Sequence, residues 1–288
     1  ATAVTSGDWR IQSLNIPRGF KLLMRMVYGF SKPRNLILGT QAAGTIEATG
    51  EDVKKFKVGD EVLAESALGL GAHAEYKCLA ENSPIAIKPK SISFEEAAAM
   101  SFGGLTALDY LKHKAALQPG ERLLVYGASG SVGIAAVQLG AHLGALVTGV
   151  CSAANLEFVK SYGAENAIDY KNEDFTKNGE KYDVILDAFG GLSMAKCKTS
   201  LADGGRLLLI SANLFEQLAA PFLNLFNSRK IIAGTANTSP PLMKEMCELT
   251  EAGKFKAVID RQFKFDDIAS AYEYVGRRHK RGTVVVKL

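Results

Sequence analysis

The stretch GASGSVG, residues 127–133, lies between the apolar run RLLVY and the helix-like IAAVQLGAHLGA. Its glycines and serines suit one task, holding an anion without a charged side chain. A loop that leaves a strand and opens a helix presents unpaired backbone N–H groups, and the positive end of the helix dipole adds to their pull. In the spacing G-x-G-x-x-G the first glycine makes a tight turn. The second lets the backbone approach a pyrophosphate, and the third lets helix and strand pack closely. Placing the last two on Gly130 and Gly133 puts Ala128 in the first position, with Gly127 one residue earlier to give the turn its freedom. A bare structural turn is the competing reading, but the strand before and the helix after favour a dinucleotide.

The next strand decides which dinucleotide. Sites for NAD place an Asp or Glu on the ribose 2′-hydroxyl about 20 residues further on. Here the chain reads VTGVCSAAN, with no carboxylate from Val147 to Leu156. A carboxylate would repel a 2′-phosphate, whereas the Ser152 hydroxyl donates to one. The expected cofactor is therefore NADPH. Ser152 also suits the N-cap of the following helix, and one hydroxyl can serve both uses.

The elements that hold this loop follow from periodicity. From about residue 120, short β-rich runs alternate with helical segments: RLLVYG (122–127), ALVTGV (145–150), NAIDY (166–170), YDVILDAFG (182–190), GRLLLIS (205–211) and KIIAGTA (230–236). Strands apolar on both faces and separated by helices imply a doubly wound parallel α/β sheet. Gly163 suits a helix C′ position with positive φ, and DGG (203–205) suits a turn before the fifth strand. Before residue 90 the texture changes to glycine-punctuated segments such as GTIEATG, KVGDEVLAE and HAEYKCLA, which read as a small β-barrel-like module. Ser93 and Glu96 form a capping box that starts a helix leading into the second domain. After 237 come a helix, a strand, a helix and a terminal strand, TVVVKL, expected to return to the first domain. The basic, apolar segment 17–35 reads either as an amphipathic insertion near the first domain's cleft or as a plain surface helix.

At 288 residues two domains are the better prior, and 47% hydrophobic with 22% charged residues describes a globular protein. A net charge of +4 selects no partner, and GRRHKRG (276–282) is too short to argue for nucleic acid. Cys78, Cys151, Cys197 and Cys247 are scattered, which argues against a disulfide framework or a zinc knuckle and for a reducing, cytoplasmic setting. Neither a membrane span nor a secretory signal is visible. The opening ATAV reads as the middle of a strand, so the natural chain is expected to begin earlier.

Taken together, GASGSVG, CSAAN, AIDY and DAFGG, with FKVGDEV and HAEY before them, resemble the zinc-independent quinone oxidoreductase branch of the medium-chain dehydrogenase/reductase superfamily. The resemblance covers essentially the whole chain. It implies a GroES-like β-barrel domain (1–96 with 238–288, first strands missing) facing a Rossmann domain (97–237), the active site in the cleft between them. It further implies that Ser129, Gly130, Ser131, Val132 and Gly133 line the pyrophosphate and that Ser152 meets the 2′-phosphate. Tyr170 would border the adenosine 2′-phosphate, unless it is simply a strand-end aromatic, and His279, Lys280 and Arg281 would reach back to the cofactor, unless they form a solvated basic face. A homodimer through an edge strand such as KIIAGTA is implied as well.

Zinc-dependent relatives use two cysteines and a His-Glu pair, where this chain reads TSGDW, Thr40-Gln41 and FGGLTA. None of these supplies an imidazole or a thiolate, so no metal is expected. The SALGLGAH stretch leaves no room for a structural-zinc lobe, and His73 reads as a packing residue of the barrel. Without a Lewis acid, hydride transfer to carbon conjugated to a carbonyl is the favoured reaction, so the substrate is expected to be a quinone or an enone. Asp8 and Thr106 match family positions lining the nicotinamide cleft, and Tyr28 is a candidate proton donor if segment 17–35 folds over that cleft. Many members carry Asn where Thr5 stands, which weakens any transfer of substrate preference. The alternative is a nucleotide-dependent regulatory module that binds RNA or a membrane through its basic segments with little turnover. A methyltransferase-like Rossmann domain is a remoter reading. It is disfavoured by the missing acidic residue after the second strand and by the barrel motifs.

Overall fold

A computed structural model of the chain describes residues 1–30, 34–66 and 69–288. Residues 31–33 of the basic segment and 67–68 of SALGLGAH lie outside them. The chain divides into two compact units, one of Ala1–Ile16, Met24–Leu105 and Asn237–Leu288, the other of Pro17–Leu23 and Thr106–Ala236.

The second unit is built on six parallel strands. These are β5 (Arg122–Tyr126), β6 (Leu146–Cys151), β7 (Asn166–Asp169), β8 (Tyr182–Asp187), β9 (Leu201–Leu209) and β10 (Lys230–Ala233), in the spatial order β10-β9-β8-β5-β6-β7. Leu123, Leu124 and Val125 of β5 and Val184, Ile185 and Leu186 of β8 are wholly buried, as continuous apolar runs in a sheet covered on both faces must be. After β5 the chain runs out to β7 on one side and later to β10 on the other. The C-terminal end of β5 is thus the topological switch point, the place where such sheets bind ligands. GASGSVG sits there and opens helix α4 (Ser131–His142).

One turn falls elsewhere than expected. DGG lies inside β9, where pairing slips between Tyr182, opposite Leu201, and Val184, opposite Arg206. Gly204, at φ 77°, takes up the slack while both flanks keep their ladder.

In the first unit the sheet order is β11-β12-β1-β2-β3-β4. Its strands are β1 (Thr2–Val4), β2 (Gln41–Thr45), β3 (Glu61–Glu65), β4 (Ile85–Ile87), β11 (Ile259–Lys264) and β12 (Thr283–Lys287). β12 therefore returns the C-terminal segment to β1, where Val4, Val284 and Val286 share a core with Ala271 and Val275 of the helix Ile268–Gly276. Helix α1 (Ser6–Ser13) follows β1, and α3 (Phe94–Leu108) begins at the expected box, with Ser93 N–H on Glu96 Oε2 at 2.9 Å and Glu96 N–H on Ser93 Oγ at 3.1 Å. HAEYKCLA forms no strand. Its approach segment instead bonds irregularly, with Ala72 N–H on Gly39 C=O and His73 N–H on Leu38 C=O, because the His73 ring turns inward there. Helix α2 (Lys21–Tyr28) carries the basic segment and exposes Leu22, Leu23 and Met26. Among the described residues no helix is long and apolar enough to cross a membrane.

Close packing across the switch point is testable at Gly149 of β6. A Cβ there would lie 2.5 Å from Val159 Cγ1 and 3.0 Å from the Ala128 methyl. Gly149→Ala is expected to cost about 1–3 kcal/mol by overpacking, read as a lower urea midpoint. An unchanged midpoint would show that the helix carrying Val159 gives way freely.

Candidate functional site

In the nucleotide-type unit the loop geometry follows from three glycines. Gly127 makes the turn with φ 83°, one residue ahead of the usual fingerprint position, while its N–H and that of Ala128 both bond to Val150 C=O at 3.0 Å. Ala128 is fully buried, its methyl filling the space that Gly149 leaves open. A Cβ on Gly133 would stand 2.1 Å from Gly127 C=O, so only glycine lets the helix come this close. Gly130 differs, since its Cβ would meet only Gly127 O, at 3.6 Å, and this is the face left for a ligand. First-turn amides have no carbonyl within their own helix. In α4 these are Ser131, Val132 and Gly133, ahead of the Ile134 N–H to Gly130 C=O bond at 2.8 Å.

Asn155 organises the neighbouring hydroxyls. Its Nδ2 donates to Ser129 Oγ at 3.1 Å and to Ser152 Oγ at 3.2 Å. With a lone pair of each serine occupied from within, both O–H groups are aimed away from Asn155, and both serines are partly exposed. Asn155 Oδ1 is buried without a partner among the described residues. Tyr170, 48% exposed, stands at the end of β7. The Asp169 carboxylate beside it is engaged in its own turn by Lys171 N–H and Asn172 Nδ2. Across the switch point, Asp187 gathers the amides of Phe189, Gly190 and Leu192 at 3.2, 2.6 and 2.8 Å, which gives DAFGG its shape. Burial pushes the Asp187 carboxyl up and those amides pull it back. Paired hydroxyl donors, a helix N-terminus and an open glycine fit the phosphates of a nicotinamide dinucleotide.

The other unit holds a buried polar chain. Asp8 closes a capping box with Thr5, whose N–H and Oγ1–H donate to Asp8 Oδ2 at 2.9 and 2.6 Å. Thr40 Oγ1 donates to Asp8 Oδ1 at 3.2 Å. Gln41 Nε2 donates to Thr40 Oγ1 at 2.6 Å and to both carboxyl oxygens of Glu65, at 2.9 and 3.0 Å. Burial raises the Asp8 carboxyl, opposed by the Thr5 and Thr40 hydroxyls and by His73. Burial also lifts Glu65, to about 8. The Tyr28 hydroxyl is buried with no hydrogen-bond partner among the described residues, and burial, then the Asp8 charge, raises its pKa. The structure thus brings Tyr28 within the electrostatic reach of Asp8. His73 is a packing residue, its Nε2 against Ala3 C=O at 3.1 Å and its Nδ1 against Tyr272 Oη at 3.3 Å.

Thr106, 7% exposed on α3, falls in the nucleotide-type unit. Of the basic run, His279 and Arg281 are exposed, while Lys280 is turned inward with its ammonium on Gly282 C=O at 2.6 Å. Burial lowers Lys280 to about 8. Glu65 and Asn155 escaped the sequence reading. Asn155 lies in a motif already singled out, and its offset from Ser152 was the available signal, whereas nothing in the sequence ties Glu65 to Gln41.

The chain matches the alcohol dehydrogenase GroES-like domain over residues 1–92 and a family described as zinc-binding dehydrogenase over residues 162–286. Zinc does not fit the donors present. Thr40 and Gln41 offer a hydroxyl and an amide already bonded to two carboxyl groups, and among the described residues no three His, Cys, Asp or Glu cluster as metal ligands. The chain is 31% identical over 303 residues to a chloroplast envelope quinone oxidoreductase homolog of Arabidopsis thaliana, covering 100% of this chain and 87% of that protein. It is 31% identical over 265 residues to an NADPH-dependent alkenal/one oxidoreductase, chloroplastic, of the same plant, covering 88% of this chain and 64% of the relative. The structure of a quinone oxidoreductase from Coxiella burnetii shares the fold, with a TM-score of 0.87 at 24% identity over 100% of this chain and 88% of that one. By these likenesses the chain belongs to the quinone oxidoreductase-like branch of the medium-chain dehydrogenase/reductase superfamily, a family of oxidoreductases.

Proposed function

We propose that this protein is a zinc-independent reductase that uses NADPH to reduce quinones or α,β-unsaturated carbonyls. The carrying observation is the Thr40–Gln41 pair, whose Oγ1 and Nε2 donors are taken by Asp8 and Glu65 where zinc-dependent relatives hold their metal. Names of relatives that reduce quinones and alkenals support the substrate class.

NADPH, when bound, supplies hydride from its nicotinamide ring. Ser129, Gly130, Ser131, Val132 and Gly133 hold the pyrophosphate against the helix N-terminus, and Ser152 donates to the 2′-phosphate beside Tyr170. The exposed His279 and Arg281 are the cations this reading assigns to that phosphate by family resemblance, and Lys280 could join them only by leaving Gly282. Hydride addition to the β-carbon of an enone moves negative charge to its oxygen. No metal neutralises that charge, so a hydrogen-bond donor must do so. Tyr28 is the donor of this reading, because its buried hydroxyl has no hydrogen-bond partner among the described residues, and Asp8 in its own unit and Thr106 in the other are the groups this reading assigns to the nicotinamide. Reduction completes when a proton reaches the enolate, or the phenolate of a quinone. A cytoplasmic setting and a homodimer through β10, a free sheet edge, belong to this reading. The competing reading, a binding module with little turnover, rests on the exposed apolar and basic face of α2. Salt-sensitive binding to anionic vesicles without any turnover of enones or quinones would establish it instead.

Ser152→Asp replaces a donor with a like charge and is expected to weaken NADPH binding by about 10–100-fold while sparing NADH, as measured by fluorescence titration. Tighter binding of NADH than NADPH by the unaltered protein would overturn the assignment. Tyr28→Phe is expected to lower kcat for an enone about 100-fold with NADPH affinity unchanged. An unchanged kcat removes Tyr28 as the donor.

A further inference from the structure

We propose that Glu65 is a positioning residue for Asp8: through Gln41 it sets the direction in which the Thr40 hydroxyl donates. The inference deepens the reductase reading and rests on it for its kinetic consequence. The geometry begins with an ambiguity. A glutamine amide fits its site in either of two orientations, and its neighbours choose between them. With Glu65 ionised, both carboxyl oxygens can only accept, so Gln41 turns its NH2 towards them, at 2.9 and 3.0 Å. The second hydrogen of that NH2 then occupies Thr40 Oγ1 at 2.6 Å. Thr40 has a single hydrogen left to give, and it goes to Asp8 Oδ1 at 3.2 Å. In this arrangement Asp8 is held as the anion, with Thr5 on its other oxygen.

The orphan in the network shows what protonation changes. Gln41 Oε1 is buried and has no partner among the described residues. When Glu65 takes up a proton its O–H needs an acceptor, and turning the amide over supplies one by bringing that oxygen to face Glu65, at the cost of moving the NH2 to the partnerless position Oε1 held. The same oxygen then faces Thr40, whose hydroxyl donates to it instead of to Asp8. Asp8 loses a stabilising bond and becomes the better holder of a proton beside Tyr28. All four side chains lie in one compact unit and are at most 7% exposed, so water does not short-circuit the chain.

Burial sets the working range by lifting Glu65 to about 8. Two charged groups act on Glu65 besides Gln41. Asp8 raises its pKa further, and Lys77, whose ammonium rests on Leu70 C=O, lowers it. Asp8 in turn is acted on by His73 and acts on Tyr28 and Tyr272. The sign follows. Through space the two carboxylates repel, so neutral Glu65 eases Asp8 towards the anion, and the relay sets the sign only where the lost Thr40 hydrogen bond outweighs that repulsion. On that condition, below about 8 Glu65 is neutral and Asp8 carries less charge, so Tyr28 gives up its proton more readily. Above it Asp8 is fixed as an anion and Tyr28 holds its proton more tightly.

The test is a pH series on the full chain carrying 13C at the tyrosine ζ carbon, with enone reduction followed in parallel. In the unaltered protein the Tyr28 resonance is expected to shift through a midpoint near 8, and kcat to fall roughly tenfold as pH rises through it. Glu65→Gln should abolish the midpoint, and Glu65→Asp should restore one. Thr40→Val should abolish it with Glu65 still in place, which a merely structural role for Glu65 would not do, and Thr40→Ser should keep it. Should Glu65→Gln fail to fold, the Thr40 pair carries the test. A Tyr28 midpoint that survives both Glu65→Gln and Thr40→Val overturns the proposal. A midpoint present in a protein that turns over no enone or quinone leaves the positioning chain standing and overturns the reductase reading.

Discussion

The Asp8 carboxylate constrains the first unit more than any other group. An ionised carboxylate out of water is tolerated only when its oxygens are filled by donors. Thr5 fills one oxygen and in doing so caps α1, and Thr40 fills the other and ties that helix to the start of β2. Once Thr40 is committed to Asp8, Gln41 must turn towards Glu65, so one charge propagates an ordered set of donors across two strands. The surroundings are apolar and aromatic, with Tyr272 and His73 packed edge to face at 5.7 Å. Gly39 leaves room for that ring, since a Cβ there would lie 2.3 Å from His73 Cδ2.

The nucleotide-type unit answers a related problem by the opposite means. In the proposed function it holds an anion without burying a charge, using backbone amides at a helix start and hydroxyls whose lone pairs are already occupied. Steric constraint does the positioning. Gly127 turns against Phe189, Gly133 admits the helix, and Gly149 makes room for the methyl of Ala128. The departure from the usual glycine pattern at Ala128 is therefore compensated on the next strand rather than within the loop.

This division explains what was legible in the sequence. The six parallel strands follow from apolar runs too continuous to be half-exposed, and the glycine turn at the end of β5 from its place between strand and helix. Both are local signals. DGG misled because a turn-forming triplet inside a long strand reads the same as one before it, and only the partner strand distinguishes them. HAEYKCLA alternates like a strand, yet its lead-in bonds follow an inward histidine whose partners are Ala3 and Tyr272, some 70 and 199 residues away. Lys280 reads as one member of a basic run, while its neighbours in space hold it against Gly282. Glu65 ends a strand with ordinary amphipathic spacing, and its role rests wholly on facing Gln41 across the β2–β3 pair.

That facing pair is costly, which bears on why it matters. A carboxyl whose folded pKa rises from 4.5 to about 8 binds its proton more tightly in the native state than in the unfolded chain. The unfolded state therefore holds fewer protons between those values, and stability falls as pH rises through that window. The loss is on the order of a few kcal/mol, comparable with a sizeable fraction of the net stability of a domain. A leucine or glutamine at position 65 would avoid the cost, and the strand pairing around it needs no acid. What the acid alone supplies is a change of donor direction that travels from Glu65 to Asp8, in the unit where an unpartnered tyrosine hydroxyl feels that charge.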